Sequence, residues 1–459
     1  AVVFDDGKPR VDIDIKGNLT DREKLLNRFG DYLKNGTLTL ANTNLSMPKD
    51  AALRELRKMV ETANEQFAAW VKGNRQIMDR LEVTASDPSR LRFSPVDDQS
   101  PVNIPGMNPD LKLHGYQNAF VRRQGREFGG ILGDGVGLGK TFQALAAVQY
   151  AQSIGIKKKT LFAVPNSVLS NWRKEAGRAY ANTDDCLFVG LRERKGKAVV
   201  ESSAYDIDLA SIAENRHSKI FLTFEALERL RLREETISGF EQYMRQVDSS
   251  FGESEDKKAD ERAKGKVAGM MAVLSDKTGS APFLEDLGID SLVIDEAHAF
   301  KNSAATVGFK SAKFLNLAPM AKRGLDAQAK AWYIRGLSAH QDGVLPLTAT
   351  PITNSPLEIY SMLSLAVGHQ RINDACLGVR GADEFMDTVC VKVNEDDVSM
   401  DGIPRQTTVF VGLQNVGVLR LALGQNALIR DAQQVGEQVK VPDREELATG
   451  VSLPSSVTR

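Results

Sequence analysis

The amino-acid sequence predicts an α/β fold built on a mainly parallel, doubly wound sheet. From Leu111 onward, short apolar runs alternate with helical segments. A glycine-rich loop joins one of those runs to a helix, and a pair of carboxylates follows another. Strand–helix alternation of this kind implies crossover connections and a parallel sheet. Its functional groups are then expected at the C-terminal ends of the strands.

Taken in order, residues 1–45 mix short alternating stretches such as VDIDI with polar turns and carry no legible function. Leu53, Leu56, Met59, Val60 and Ala63 recur at helical spacing after Pro48-Lys49-Asp50, so one or two helices are expected over 48–82. The stretch from 84 to 110 is rich in Pro, Ser, Asp and Asn and reads as a linker. Strands are expected at 129–133, 160–165, 219–224, 291–295 and 344–348, and helices at 141–154, 167–180, 225–235 and 356–366. The charged segment 232–282, which contains GESEDKKADERAKGK, reads as a solvated surface insertion. Residues 303–343 form a second long insertion, and the chain from 370 is mixed α/β without a chemical motif. The expected division is an N-terminal segment 1–45, a helical region and linker 46–110, an α/β lobe 111–369 and a C-terminal extension 370–459.

Composition bounds the function. A chain of 459 residues allows about two to four domains. At 42% apolar and 26% charged, it can bury a large core, which excludes global disorder, a collagen-like fibre and a disulfide miniprotein. Lys and Arg total 59 against 60 Asp and Glu, so the net charge of -1 gives no support for a strongly basic nucleic-acid binder. A local basic stripe stays open, with Arg122, Arg123 and Arg126, Lys157 to Lys159, and Arg192, Arg194, Lys195 and Lys197 as candidates. Each of these runs reads more simply as solvated surface. The three cysteines, Cys186, Cys376 and Cys390, lack a metal-type spacing, which suits a reducing compartment. No apolar run approaches the roughly 20 residues of a membrane span, so no membrane partner is expected. AVVFDDGKPR has no signal-peptide pattern and no Met, which fits either Met removal or a piece of a longer polypeptide. The expected location is cytoplasmic.

The most informative segment is Gly129-Gly130-Ile131-Leu132-Gly133-Asp134-Gly135-Val136-Gly137-Leu138-Gly139-Lys140-Thr141. Glycines let backbone N–H groups turn inward around phosphate oxygens, and the helix that follows presents its positive end to the same anion. Lys140 can reach the β- and γ-phosphates and Thr141 can offer a hydroxyl to Mg²⁺. The general pattern requires Gly where this chain has Asp134. Further on, the apolar run Leu292-Val293-Ile294 leads into Asp295-Glu296-Ala297-His298. Adjacent carboxylates at a strand end are costly unless something cationic uses them. Asp295 is placed to hold Mg²⁺ and Glu296 to orient and polarise an attacking water. His298 reads equally well as an ordinary hydrogen-bonded histidine. With five His in the chain and no H-E-x-x-H, a zinc hydrolase is disfavoured.

In this order, the motifs resemble the first RecA-like lobe of superfamily 2 helicases and translocases, a P-loop NTPase fold, and its Swi/Snf-type branch in particular. Leu113-His114-Gly115-Tyr116-Gln117 looks like the branch's entry motif, whose glutamine lies near the adenine. The phosphate loop of that branch also carries an acid at the position of Asp134. The resemblance therefore assigns Gln117, Asp134, Gly135, Gly137, Leu138, Gly139, Lys140 and Thr141 to ATP, with Mg²⁺ on Thr141 and Asp295. Val164-Pro165-Asn166-Ser167-Val168-Leu169, followed by Trp172 and Glu175, is similar to a DNA-contacting motif, which makes Asn166, Ser167 and Trp172 candidates. On residue type alone, Trp172 and Phe224 read more simply as core packing. Leu222-Thr223-Phe224-Glu225 and the extension Phe300-Lys301-Asn302 also have counterparts. Leu347-Thr348-Ala349-Thr350-Pro351-Ile352-Thr353-Asn354 resembles the motif that couples hydrolysis to lobe movement, with Ala349 in place of the usual Gly. It implies that Thr348, Thr350 and His298 sense the nucleotide state.

The resemblance spans residues 111–366 and is greatest to large methyltransferase–helicase proteins of phages and other mobile elements, although no adenine-methyltransferase signature occurs. It implies backbone tracking on duplex DNA without base specificity. It also implies a second RecA-like lobe that delivers arginines to the γ-phosphate. No Gln-x-x-Gly-Arg-x-x-Arg-type motif occurs up to Arg459, so that lobe is expected in a longer polypeptide or on a partner chain. The other readings are a structural or antirestriction assembly component that keeps the fold, and a P-loop enzyme acting on a small molecule.

Overall fold

The computed structural model describes residues 98–248, 257–275, 280–304, 321–350, 355–375, 378–398, 404–431 and 435. It also describes 2–5, 8–11, 19–35, 43–48 and separate residues between 51 and 62. Near the N-terminus, β1 (Val2–Asp5) and β2 (Lys8–Val11) pair as an antiparallel ribbon, and the helix Asp21–Asn35 follows. Ala52 and Leu56 of the expected 48–82 helices are buried, while Leu53, Val60, Ala63 and the segment 63–97 lie outside the described residues.

The sheet is built from β3 (Ile131–Leu132), β4 (Thr160–Val164), β5 (Cys186–Phe188), then a hairpin of β6 (Leu191–Arg194) and β7 (Lys197–Val200), followed by β8 (Lys219–Thr223), β9 (Ser291–Ile294) and β10 (Val344–Pro346). β10, β9, β4, β8 and β5 lie side by side in that order, all parallel. A parallel bridge from Leu132 to Leu347 attaches β3 beyond β10. After a hairpin of β11 (Cys390–Val398) and β12 (Pro404–Leu413), the chain returns as β13 (Ala427–Leu428), parallel to β3. Each of the five expected strands is present, one to three residues shorter than the apolar run that announced it.

Alternation along the strands divides the core into two layers, because successive side chains leave opposite faces. Phe162, Val164, Phe221 and Val293 pack on one face with Ala144, Ala147 and Trp172 from the helices Lys140–Ser153 and Leu169–Ala179. Leu161, Ala163, Ile220, Leu222, Leu292 and Ile294 pack on the other, with Phe240 and Tyr360. The rings of Phe162 and Phe188 each stack on Phe221, at 4.3 and 4.6 Å between centroids. Each such side chain contributes about 1.5–3 kcal/mol on burial.

Two expectations are corrected here. The helix expected over 225–235 is two helices. Thr223 caps the first, Phe224–Arg229, by accepting from the Ala226 N–H. The chain then breaks because the Arg231 N–H and Nε bond to the carbonyls of Pro282 and Ala281, and a new helix begins at Glu234. The segment 232–282 is also more than solvated surface. The helix Glu234–Val247 buries Ile237, Phe240, Met244 and Val247, and the helix Lys257–Ser275 buries Val267, Met270 and Leu274 in the same layer. High charge density hid these two apolar stripes. Residues 249–256 and 276–279, which hold part of the charged run, lie outside the described residues. Within the second insertion, the helix Lys322–Gly336 packs under β9 and buries a Lys330–Asp326 pair at 2.7 Å; residues 305–320 are not among those described.

Candidate functional site

Because the sheet is parallel, the C-terminal ends of β3, β4, β9 and β10 share one edge, and the expected site residues gather there. β3 ends in Gly133, and the loop to the helix Lys140–Ser153 contains two left-handed turns, Gly137 at φ 85° and Gly139 at φ 72°. A side chain at either position is strained, and a Cβ on Gly139 would also lie 2.9 Å from the Gln117 amide nitrogen. The loop has Val136 at its exposed tip and Leu138 buried as its anchor. Lys140 Nζ turns back into the loop and donates to the carbonyls of Asp134 at 2.7 Å and Gly135 at 3.2 Å. Thr141 stands at the start of the helix, half-buried. Backbone amides, a helix N-terminus and an ammonium thus converge on one small volume, the chemistry that suits a polyphosphate.

Gln117 braces the loop from behind. Its Nε2 donates to the Leu138 carbonyl at 3.3 Å and its Oε1 accepts from the His114 N–H at 3.0 Å, completing a capping box on the helix Gly115–Gln124. Tyr116 Oη donates to the same Leu138 carbonyl at 3.0 Å.

The acidic pair faces the loop. Asp295 is fixed by its own N–H to the Ala163 carbonyl at 2.9 Å, while its carboxylate accepts from the Glu296 N–H at 3.0 Å. Burial holds the Asp295 carboxyl above the usual carboxylate range; the Trp172 bond and the Lys140 charge pull it back down. Conversely, burial lowers the Lys140 ammonium, and Glu296, Asp134 and Asp295 oppose that shift. The lysine and the acidic pair therefore sense one another's charge. Glu296 adopts φ 46°, a left-handed conformation that costs a non-glycine residue about 1–2 kcal/mol. The turn aims its half-exposed carboxylate off the strand end, where His298 Nδ1 lies 3.2 Å from Glu296 Oε2. Among the described residues, no group of three or more His, Cys, Asp or Glu could hold a metal ion unaided. That donor set fits Mg²⁺, which one or two protein groups and substrate phosphates commonly bind together.

β10 runs between the two motifs. The Leu347 N–H donates to the Ile294 carbonyl and the Leu347 carbonyl accepts from the Ala297 N–H, at 2.7 and 2.9 Å. The Thr348 N–H donates to the Leu132 carbonyl at 3.1 Å. Thr348 is fully buried, and its Oγ1 accepts from the Thr350 N–H at 3.1 Å, while Thr350 is exposed. Thr348 is thus bonded to the strand before the phosphate loop, one residue from the bonds to the acidic strand. Pro351 to Asn354 of this motif lie outside the described residues.

One expected DNA contact is corrected. Trp172 is 1% exposed, tilted against Phe162 and Phe221, and its Nε1 donates to Asp295 Oδ2 at 2.8 Å. It cannot reach a nucleic acid from there; it supports Asp295. Trp172→Phe keeps the aromatic packing and deletes only the donor. A hydrogen bond to a charged group contributes about 1.5–3 kcal/mol. Nucleoside-triphosphate turnover by the variant is expected to fall about 10- to 10²-fold, with duplex-DNA affinity unchanged in a gel-shift titration. The reverse pattern would restore the DNA role.

Asn166 and Ser167 are exposed at the end of β4, in a single turn of 3₁₀ helix before Leu169–Ala179, where they can meet a ligand. The basic runs are mostly engaged. Arg122 bonds Ser100 and pairs with Asp98, Lys157 with Asp342, Arg192 with Asp208 and Arg194 with Glu201. Lys159 is buried against the carbonyls of Ile212 and Leu287. Desolvation pushes the thiols of Cys186 and Cys390 up to about 12 and about 11, which removes both as nucleophiles; Cys376 lies outside the described residues.

Sequence reasoning missed Arg430. It follows β13 into the phosphate loop, where its Nε and Nη2 donate to both carboxylate oxygens of Asp134 at 2.9 and 2.6 Å. The only signal was indirect: an acid in the loop called for a cation, and Lys140, a few residues on, spends its hydrogen bonds on the loop carbonyls and not on the Asp134 carboxylate.

Residues 111–319 match the family model described as the SNF2-related domain. Its boundaries take in the entry helix, the phosphate loop and the acidic pair. Defense against restriction protein B of Escherichia phage P1 is 26% identical over 439 residues, 87% of this chain and 19% of that protein. A SWI/SNF-related, matrix-associated, actin-dependent regulator of chromatin (subfamily A containing DEAD/H box 1A) of Danio rerio is 40% identical over 75 residues, 16% of this chain and 8% of that protein. The chain thus spans about a fifth of the phage relative's length and less of the fish one. The solved Sulfolobus solfataricus SWI2/SNF2 ATPase core in complex with dsDNA aligns over 72% of this chain and 47% of its own, at 18% identity and a TM-score of 0.36.

Proposed function

We propose that this chain is the nucleotide-binding lobe of an ATP-dependent DNA translocase. The observation that carries the reading is the placement of Lys140, on the phosphate loop, within electrostatic reach of Asp295 and Glu296, which follow β9 on the far side of β10. The SNF2-related domain across the same residues supports it. ATP is the substrate. Lys140 and the amides of Gly137 and Gly139 hold its phosphates, Gly135 and Leu138 shape the loop around them, and Gln117 lies on the adenine side. Thr141 and Asp295 hold Mg²⁺, which supplies charge neutralisation on the phosphates. Glu296 orients water, and Thr348, Thr350 and His298 relay the occupancy of the site. Asn166 and Ser167 face duplex DNA, whose backbone is tracked without reading sequence. On this reading, the chain works in the cytoplasm of a host cell or with a virion. The name of the phage relative supports defence against restriction as the biological setting.

A second RecA-like lobe, on the same polypeptide or a partner, supplies the arginines. Arginine fingers contribute about 10³–10⁵ in rate in other phosphoryl-transfer enzymes. The 459-residue chain is therefore expected to bind ATP and to hydrolyse it slowly. Phosphate release measured with and without linear duplex DNA tests the reading. DNA-stimulated turnover supports it, as does ATP binding without turnover that becomes turnover when the second lobe is added. Stimulation by a metabolite and not by DNA would replace it with a small-molecule enzyme.

A further inference from the structure

Asp134 presents an electrostatic problem. It lies inside a loop shaped to receive polyphosphate, is fully buried, and carries the same sign of charge as the ligand. The structure resolves the problem from 296 residues away. β13 adds to the free edge of β3, Ala427 beside Ile131 and Leu428 beside Leu132. The strand's continuation bonds the loop: the Gly133 N–H donates to the Leu428 carbonyl at 2.7 Å and the Gly135 N–H to the Arg430 carbonyl at 2.8 Å. Arg430 then spends its whole guanidinium on the site. Besides the two bonds to Asp134, Nη1 donates to the Tyr116 carbonyl at 2.8 Å and Nη2 to Gln143 Oε1 at 3.0 Å, and the cation lies 4.9 Å over the Tyr116 ring. Gln143 completes the cluster by donating to Asp134 Oδ2 at 3.0 Å. The planar fork matches the carboxylate in two-point geometry, which a lysine cannot do.

We propose that Arg430 is a positioning residue for nucleoside-triphosphate binding. It pairs off Asp134 and ties the entry helix, the phosphate loop and the C-terminal segment into one rigid seat. The proposal rests on the reading of the loop as a nucleotide site. Without Arg430, the carboxylate would be an uncompensated negative charge beside the phosphates. The C-terminal segment is then part of the nucleotide site and not a passive extension beyond it.

The test is a titration of the full chain with Mg²⁺–ATP, with melting temperature recorded for each variant. Arg430→Ala is expected to weaken ATP binding about 10- to 10²-fold, from the charge left facing the phosphates at short range. Arg430→Lys is expected to fall between wild type and Arg430→Ala. The deciding variant is the double replacement Arg430→Ala with Asp134→Asn, which deletes the cation and neutralises the acid together. Recovery of most of the affinity is expected, since the repulsion is gone, whereas a merely structural bond would not be restored by deleting its second partner. A double variant that folds and binds no better than Arg430→Ala would overturn the proposal, as would Arg430→Ala binding like wild type. A wild-type chain that binds no ATP would overturn the nucleotide reading itself.

Discussion

Lys140→Ala is expected to abolish measurable ATP binding. The ammonium is the only cation the structure turns into the phosphate loop from the helix that closes it, and its two hydrogen bonds, to the Asp134 and Gly135 carbonyls, show where its charge sits. Exchanging those carbonyls for phosphate oxygens turns the bonds into fully charge-assisted ones. Two such bonds at about 1.5–3 kcal/mol each correspond to about a 10²–10⁴-fold loss of affinity. The fold should survive the change. Burial lowers the folded-state pKa of Lys140 below 10.5, so its charged form is less favourable in the folded chain than in the unfolded one. That penalty is present in full below the folded pKa and is relieved as pH rises from there toward 10.5. Removing the ammonium at neutral pH therefore relieves a destabilisation and offsets the two lost carbonyl bonds. The measurement is ATP affinity by calorimetry beside a melting curve without nucleotide. Tight binding by a folded Lys140→Ala would take the lysine out of the phosphate site.

What the sequence revealed, and what it hid, follows from the range of the interactions involved. The phosphate loop was legible because its chemistry is local. Gly137, Gly139, Lys140 and the helix start are contiguous, and each residue type is dictated by its own backbone conformation or charge. The acidic pair was legible because Asp295 and Glu296 follow an apolar strand directly, although the left-handed turn at Glu296 was not. Trp172 was misplaced among the DNA contacts because a helical tryptophan near a strand end looks the same whether it faces out or in. Only the strand order, with β9 beside β4, puts Asp295 within reach of its indole. Arg430 was invisible for the same reason in a stronger form. The two-residue strand that delivers it has no periodicity to detect, and its partner is nearly three hundred residues earlier. The helix Glu234–Val247 was masked by its charged neighbours, although Ile237, Phe240, Met244 and Val247 keep the spacing of a buried stripe.

Glu296→Gln is expected to separate binding from turnover. Glutamine keeps the length and shape of the side chain, puts an NH2 donor in place of one acceptor oxygen, and cannot take up a proton at neutral pH. The carboxylate sits at the end of β9, 46% exposed, so water reaches it, and the half-exposed His298 ring beside it offers a route for the proton or a brace for the carboxylate. General-base assistance contributes about 10²–10⁴ in rate, and turnover should fall by that factor while ATP affinity stays near wild type. The backbone adds a second line of evidence. A non-glycine residue in the left-handed region costs about 1–2 kcal/mol, so a glycine at 296 would relax the turn. Glu296→Gly should therefore melt at a higher temperature than Glu296→Gln, with both equally slow in turnover. Greater stability without recovered rate would mean that this position holds a carboxylate for chemistry at a cost to the fold. Full turnover by Glu296→Gln would remove the carboxylate from the chemical step and leave Asp295 as the only acid of the pair with a role in it.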